Sequence, residues 1–103
     1  MSLLDVNTAA VDISALTETI LSGEMAAITA AGSAALTGVV PLAADADSAA
    51  FAAALNAAGA AYLGAAAEHV GQRVAFAGGQ SLSSISYLLN ELASATNLSS
   101  FLP

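Results

Sequence analysis

The interior of the sequence contains a single proline, Pro41, and this residue limits the fold more than any other. Proline forces the residue before it, Val40, out of the helical region of backbone conformation. Gly38, two residues earlier, permits an open or left-handed backbone. The sequence therefore predicts one break between two long segments, with Gly38 and Pro41 as the turn residues.

Alanine dominates on both sides of this break, with 28 of the 103 residues, and Ala is the strongest helix former. Asp5, Asn7 and Thr8 are suitable N-caps for the first segment, and Asp45, Asp47 and Ser48 for the second. A short connection between long helices makes them antiparallel. We therefore predict an all-α fold, a hairpin of two helices over residues 8–36 and 45–77 with a turn over residues 37–44.

The helix propensity of the second segment falls at Gly78-Gly79. Each Gly costs about 1 kcal/mol relative to Ala inside a helix, and the Ser-rich residues 80–84 that follow are also poor helix formers. We predict a kink or fraying at this point, a continuation to about residue 92, and a mobile tail over residues 98–103.

Apolar residues form two stripes on each predicted helix, spaced as helix faces require. The first helix has one stripe with the large residues Val6, Ile13, Leu16 and Ile20 and a second with Leu21, Met25, Ile28 and Leu36. The second helix has one with Phe51, Leu55, Tyr62, His69, Arg73 and Phe76 and another with Leu63, Val70 and Val74. Two helices pack along one line, so one stripe of each is left uncovered. We predict that a partner chain covers the residues Leu21, Met25, Ile28, Leu36, Leu63, Val70, Arg73 and Val74.

The charge balance excludes several functions. The chain has eight acidic residues and one basic residue, Arg73, which gives a net charge of −7. It therefore cannot neutralise several phosphates of a nucleic acid. It contains no Cys, and His69 is its only His, which argues against a multi-His metal site and against Ser-His-Asp catalysis. We expect no catalytic residues, no metal and no cofactor.

Two uncharged stretches, residues 25–44 and 48–67, reach membrane-spanning length. Both consist mainly of Ala, Ser, Thr and Gly, which gain little from entering hydrocarbon, and neither has basic flanks. Membrane insertion is therefore not the expected function. The N-terminus also lacks the basic region of a cleaved signal peptide.

His69 and Arg73 lie one helical turn apart on an otherwise aromatic stripe. Two interpretations remain open. The Arg73 stem can cover apolar surface while its charged head stays hydrated. Alternatively, Arg73 pairs with an acidic residue of a partner.

Residues 37–50 read TGVVPLAADADSAA, a helix break followed by an acidic helix start. This segment closely resembles the PE family of actinobacterial type VII secretion substrates. The resemblance extends through the Ala-rich second helix to Tyr87-Leu88-Leu89-Asn90-Glu91, which is similar to the family's Tyr-x-x-x-Asp/Glu export signal. One feature is atypical, because Asp5-Val6-Asn7-Thr8 stands where the family has its Pro-Glu pair.

The resemblance implies a non-enzymatic PE subunit that binds lengthwise to a PPE protein and completes a four-helix bundle. It also implies that a cytosolic chaperone grips the PPE tip, and that the type VII apparatus exports the folded pair to the cell surface or beyond. Tyr87 and Glu91 would form the signal. The alternative for these two residues is an exposed pair on one helical turn.

A different function remains open from the same stripes. The chain could associate with copies of itself and act as a structural or adaptor module, since symmetric oligomers are common.

Overall fold

The computed structural model describes residues 4–103, and helix is the only regular secondary structure in this part of the chain. Helix α1 spans Thr8–Thr37 and helix α2 spans Ala46–Ser99. The two helices form a hairpin, which confirms the predicted all-α fold of two long antiparallel helices.

Side-chain caps fix the start of both helices. The Asn7 side-chain oxygen accepts a hydrogen bond from the Ala10 backbone N–H at 3.1 Å. The Asp45 carboxylate accepts the Ser48 backbone N–H at 2.8 Å and the Ser48 hydroxyl at 3.0 Å. These two bonds from Ser48 hold the pKa of the Asp45 carboxyl below its usual value. Of the candidate N-caps, Asn7 and Asp45 therefore serve as caps.

The connection between the helices is held by one side chain. Asn56 donates through Nδ2 to the Val39 carbonyl oxygen at 2.9 Å and accepts the Val39 N–H through Oδ1 at 2.8 Å. Gly38 does not adopt a left-handed backbone, because none of the residues 4–103 has a positive φ. Its small size is what the site requires, since a Cβ at Gly38 would lie 2.6 Å from the Ala34 carbonyl oxygen.

Helix α2 continues through Gly78-Gly79 to Ser99, beyond the predicted end near residue 92. Two of the neighbouring serines hydrogen-bond back along the helix, Ser83 to the Gly79 carbonyl and Ser86 to the Leu82 carbonyl. These bonds keep serine hydroxyls satisfied without breaking the helix, and the adjacent Ala77 is buried. Residues 98–103 were predicted to form a tail after the helix. This is wrong for Leu98 and Ser99, which belong to α2.

The described chain divides into two compact units, each of which contains a part of both helices. We call Leu21–Gln72 the turn unit, and residues 4–20 with Arg73–Pro103 the terminal unit.

In the turn unit, the positions withdrawn from solvent alternate at spacings of three and four residues. This is the heptad spacing of helices that pack along a narrow seam. The seam residues of this unit are Ser22, Met25, Thr29, Gly32, Leu36, Ala52, Asn56, Gly59, Leu63, Ala66 and Val70. At Gly59 the helices are so close that a Cβ would collide with the Leu36 carbonyl oxygen.

In the terminal unit the seam is small and polar. The residues withdrawn from solvent include Ala15, Ala77 and Ser84, all of them nearly or fully buried. Gln80 donates to the Ser14 hydroxyl at 2.8 Å, and the Ser84 hydroxyl donates to the Thr8 carbonyl at 3.3 Å. Polar contacts rather than large apolar side chains therefore join the helices in this unit.

Candidate partner-binding surface

The predicted partner interface divides between the seam and the surface. Met25, Leu36, Leu63 and Val70 are half-buried in the seam of the turn unit. Leu21, Ile28 and Val74 are exposed. Four of the predicted interface residues therefore pack within this chain, and three are available to another molecule.

Arg73 is also engaged within the chain. Its Nε lies 3.0 Å from Glu18 Oε2, and its Nη2 donates to Glu18 Oε1 at 3.2 Å. This pair lies in the seam of the terminal unit, with each side chain less than one-third exposed. The acidic partner of Arg73 is therefore Glu18 of the same chain, which corrects the interpretation that reserves Arg73 for an acidic residue of another protein. His69, by contrast, is exposed.

Most of the first stripe of α1 lies outside the seam. Ile13, Leu16 and Ile20 are 65%, 60% and 53% exposed, although all three lie on α1 within the terminal unit. Successive residues of a helix are rotated by about 100°, so Ile13 and Ile20 lie on the side of α1 opposite the seam that contains Ala15. The seam thus contains Met25 and Leu36 of the second stripe, while Ile13, Leu16 and Ile20 of the first stripe lie outside.

Helix α2 has a comparable outer ridge. Leu55, Tyr62 and Phe76 follow one another at multiples of seven residues and are all exposed. An exposed row of large apolar residues at helical spacing is typical of a surface that another helix covers.

Shallow grooves run beside the seam. In the turn unit one groove is lined mainly by small residues, which are Ala26, Thr29, Ala30, Ser33, Ala66 and Ala67, together with Leu63 and Val70. In the terminal unit another is lined by Asp12, Leu16, Thr19, Val74, Gly78 and Ser81, beside Ala15 and Ala77. Small residues let a further helix approach closely, so both grooves suit helix packing better than small-molecule binding.

The predicted signal residues, Tyr87 and Glu91, both lie on α2, one helical turn apart. Both are exposed, and together with Leu88 they line a cavity closed on its other side by Leu4, Asp5, Val6 and Thr8. The segment before α1 therefore lies beside the signal residues within the terminal unit.

The described residues contain no group of three or more His, Cys, Asp or Glu side chains that could hold a metal ion. Both helices are long and apolar enough, by length and composition alone, to cross a bilayer, with mean hydropathies of 1.2 and 1.4 over their most apolar stretches.

Sequence reasoning missed two features of this surface. Asn56 closes the turn by a contact across 17 residues, and no local pattern signals it. Val40, Leu42 and Phe51 form an exposed apolar group around Pro41. The run Val39-Val40-Pro41-Leu42 could have indicated that group, because it places large apolar residues in a turn where polar ones are usual.

No known family model matches this sequence, and neither the curated proteins nor the solved structures provide a match.

Proposed function

We propose that this chain is a non-enzymatic, PE-like subunit that pairs with a PPE-like helical protein and leaves the cell with it, folded, through a type VII secretion system. The observation that carries the proposal is the distribution of side chains in each unit. Small and polar residues fill much of the seam, while residues such as Ile13, Ile20 and Tyr62 lie outside.

This distribution leaves the isolated hairpin with little apolar burial. The buried hydrophobic residues of the described chain are Ala15, Ala52 and Ala77, which carry one methyl group each. Fully burying a Leu or Ile side chain contributes about 1.5–3 kcal/mol. A partner that covers Ile13, Leu16 and Ile20 would therefore add more apolar stabilisation than these three alanines supply.

The type of partner follows from the geometry of the outer faces. They are long, formed by helices, and lined by grooves of small residues, which suits one or two further helices packed lengthwise. The similarity of residues 37–50 to the PE family supports a PPE protein as that partner. Together the two chains would form a four-helix bundle.

The route of export rests on Tyr87 and Glu91. Both residues are exposed on α2 of the unpaired chain, and in this proposal they stay outside the face that pairs, where a receptor can bind them. In this proposal the pair forms in the cytosol, a chaperone binds the PPE subunit, and the secretion machinery reads the Tyr-x-x-x-Glu signal.

The pairing is tested by expressing the chain alone and together with a PPE-like protein, sought first among the products of the neighbouring genes. We expect low solubility of the chain alone, because its outer apolar residues are uncovered, and a soluble equimolar complex after co-expression, measured by size-exclusion chromatography with light scattering. A stable homodimer that melts cooperatively and does not bind the PPE-like protein would instead favour the self-associating module.

A further inference from the structure

The turn between the helices exposes more apolar surface than a solvated loop requires. Leu42 is 97% exposed, Val40 72% and Phe51 63%. Together with Pro41, Leu55 and the Asp47 side chain they surround a concave pocket of about 370 Å³. We call this group the turn pocket. It lies wholly within the turn unit.

The pocket is held in shape before anything binds. Asn56 fixes both backbone polar groups of Val39, directly before Val40. On the other side, the Asp45 carboxylate caps α2 through Ser48 and so fixes the helical turn that carries Phe51. A site that is already ordered loses little conformational entropy when it binds, so its exposed apolar area is available for affinity.

The charge around the pocket selects among possible occupants. Asp47 lines it and Asp45 lies two residues away, while the only basic residue of the chain, Arg73, lies in the other unit and is paired with Glu18. A second copy would bring another net charge of −7 and the same carboxylates. Anionic lipid would be repelled for the same reason. Complementary charge requires a cationic occupant.

From this geometry we infer that the turn pocket is a docking site for a protein segment that inserts an apolar side chain between Leu42 and Phe51 and places Lys or Arg beside Asp47. An apolar contact surrounded by a charged rim is the usual arrangement of a binding hot spot. The site shares Leu55 with the outer ridge of α2, but its apolar residues Val40, Pro41 and Leu42 belong to the turn, so the inference does not depend on the proposed pairing.

The test uses the 103-residue chain and two short synthetic peptides with the same Leu and Phe residues, one flanked by Lys and the other by Glu. We expect the Lys-flanked peptide to bind about ten-fold more tightly, measured by fluorescence anisotropy at low salt. Asp47→Lys should abolish or reverse this preference. Leu42→Ser should weaken binding of the Lys-flanked peptide about ten-fold, since it removes the most exposed apolar side chain of the pocket.

Leu102→Ser is the matched control, because Leu102 is also exposed but lies far from this turn in sequence and in the other unit. Circular dichroism verifies that each variant keeps its helicity. Equal binding of both peptides, or binding unchanged by Leu42→Ser, would overturn the inference. So would Leu42-dependent binding to phosphatidylcholine vesicles, or Leu42-dependent dimerisation, without a preference for the Lys-flanked peptide.

Discussion

Arg73 and Glu18 form a two-point ion pair between the helices, with Nε–Oε2 and Nη2–Oε1 distances of 3.0 and 3.2 Å. The planar guanidinium matches the two carboxylate oxygens, which gives the contact a defined direction as well as an attraction. The pair lies in a seam whose neighbouring positions, Ala15 and Ala77, contribute only methyl groups.

Replacing Glu18 by Gln should lower the free energy of unfolding by about 1 kcal/mol, because it leaves the partly buried guanidinium with a neutral acceptor. Urea unfolding followed by circular dichroism measures this loss. Glu24→Gln is the control, since Glu24 is exposed. Exchanging the two residues, Glu18→Arg with Arg73→Glu, should recover part of the stability. An equal loss in the Glu24 variant would show that net charge rather than the pair is responsible.

Replacing Asn56 by Ala should destabilise the hairpin by about 2 kcal/mol, because the Val39 N–H and carbonyl both lose their partner. Urea unfolding measures the change, and amide hydrogen exchange at Val39 should speed up. Asn56→Asp keeps an acceptor for the N–H but removes the donor, so it should show an intermediate loss. Protection of the Val39 amide that is unchanged in Asn56→Ala would contradict the role given to this side chain.

Replacing Gly59 by Ala should cost about 1–3 kcal/mol, because the new Cβ would meet the Leu36 carbonyl and force the helices apart. Gly64→Ala is a matched control on the same helix, where nothing lies within 4 Å of the added Cβ. There the substitution should stabilise by up to about 1 kcal/mol through helix propensity. Thermal melts of the two variants should therefore shift in opposite directions; shifts of the same sign would refute the close approach at Gly59.

Replacing Ile20 by Asp should prevent pairing with the PPE-like protein while leaving the hairpin's helicity intact, because Ile20 is exposed in the hairpin and would be buried in the complex. Co-purification from a shared expression strain measures pairing. Ser100→Asp, which adds the same charge beyond the end of α2, should pair normally. Normal pairing of the Ile20 variant would remove this face from the interface.

Replacing Tyr87 or Glu91 by Ala should stop export, because the signal is lost. The complex should not dissociate, because both side chains are exposed on α2 and are proposed to lie outside the pairing face. The measurement compares the chain in culture filtrate and in cells, alongside co-purification of the pair. Asn90→Ala, on the same helical turn, serves as the control and should be exported. Secretion of the Tyr87 and Glu91 variants at the normal level would refute the signal.

Local signals were sufficient to predict the hairpin. The break at Pro41, the caps Asn7 and Asp45 and the Ala-rich segments each act over a few residues. Both helices begin, and α1 ends, within one residue of the predicted positions. The course of α2 past Gly78-Gly79 to Ser99 was predicted only in part, as a kinked or frayed continuation to about residue 92. Propensity does not include hydrogen bonds such as that of Ser84 with Thr8 in the neighbouring helix.

The orientation of the stripes could not be predicted from hydrophobicity. That criterion favours the largest side chains for the interior, whereas the observed seam depends on how closely two backbones can approach. Ala15, Ser22 and Gly59 allow that approach, and bulky residues such as Ile13 do not. The pairing of Arg73 with Glu18 could not be predicted for a related reason, since it joins residues 55 positions apart.

The seam of the terminal unit, whose buried residues are Ala15, Ala77 and Ser84, has a second consequence, for the alignment of α1 along α2 in that unit. Sliding by one heptad would replace one small side chain with another, so apolar packing alone distinguishes poorly between neighbouring registers. Directional contacts do distinguish them, because Gln80 reaches Ser14, and Ser84 reaches Thr8, at only one offset. A few polar side chains thus fix the register of the two helices, and with it which residues are neighbours on the outer faces.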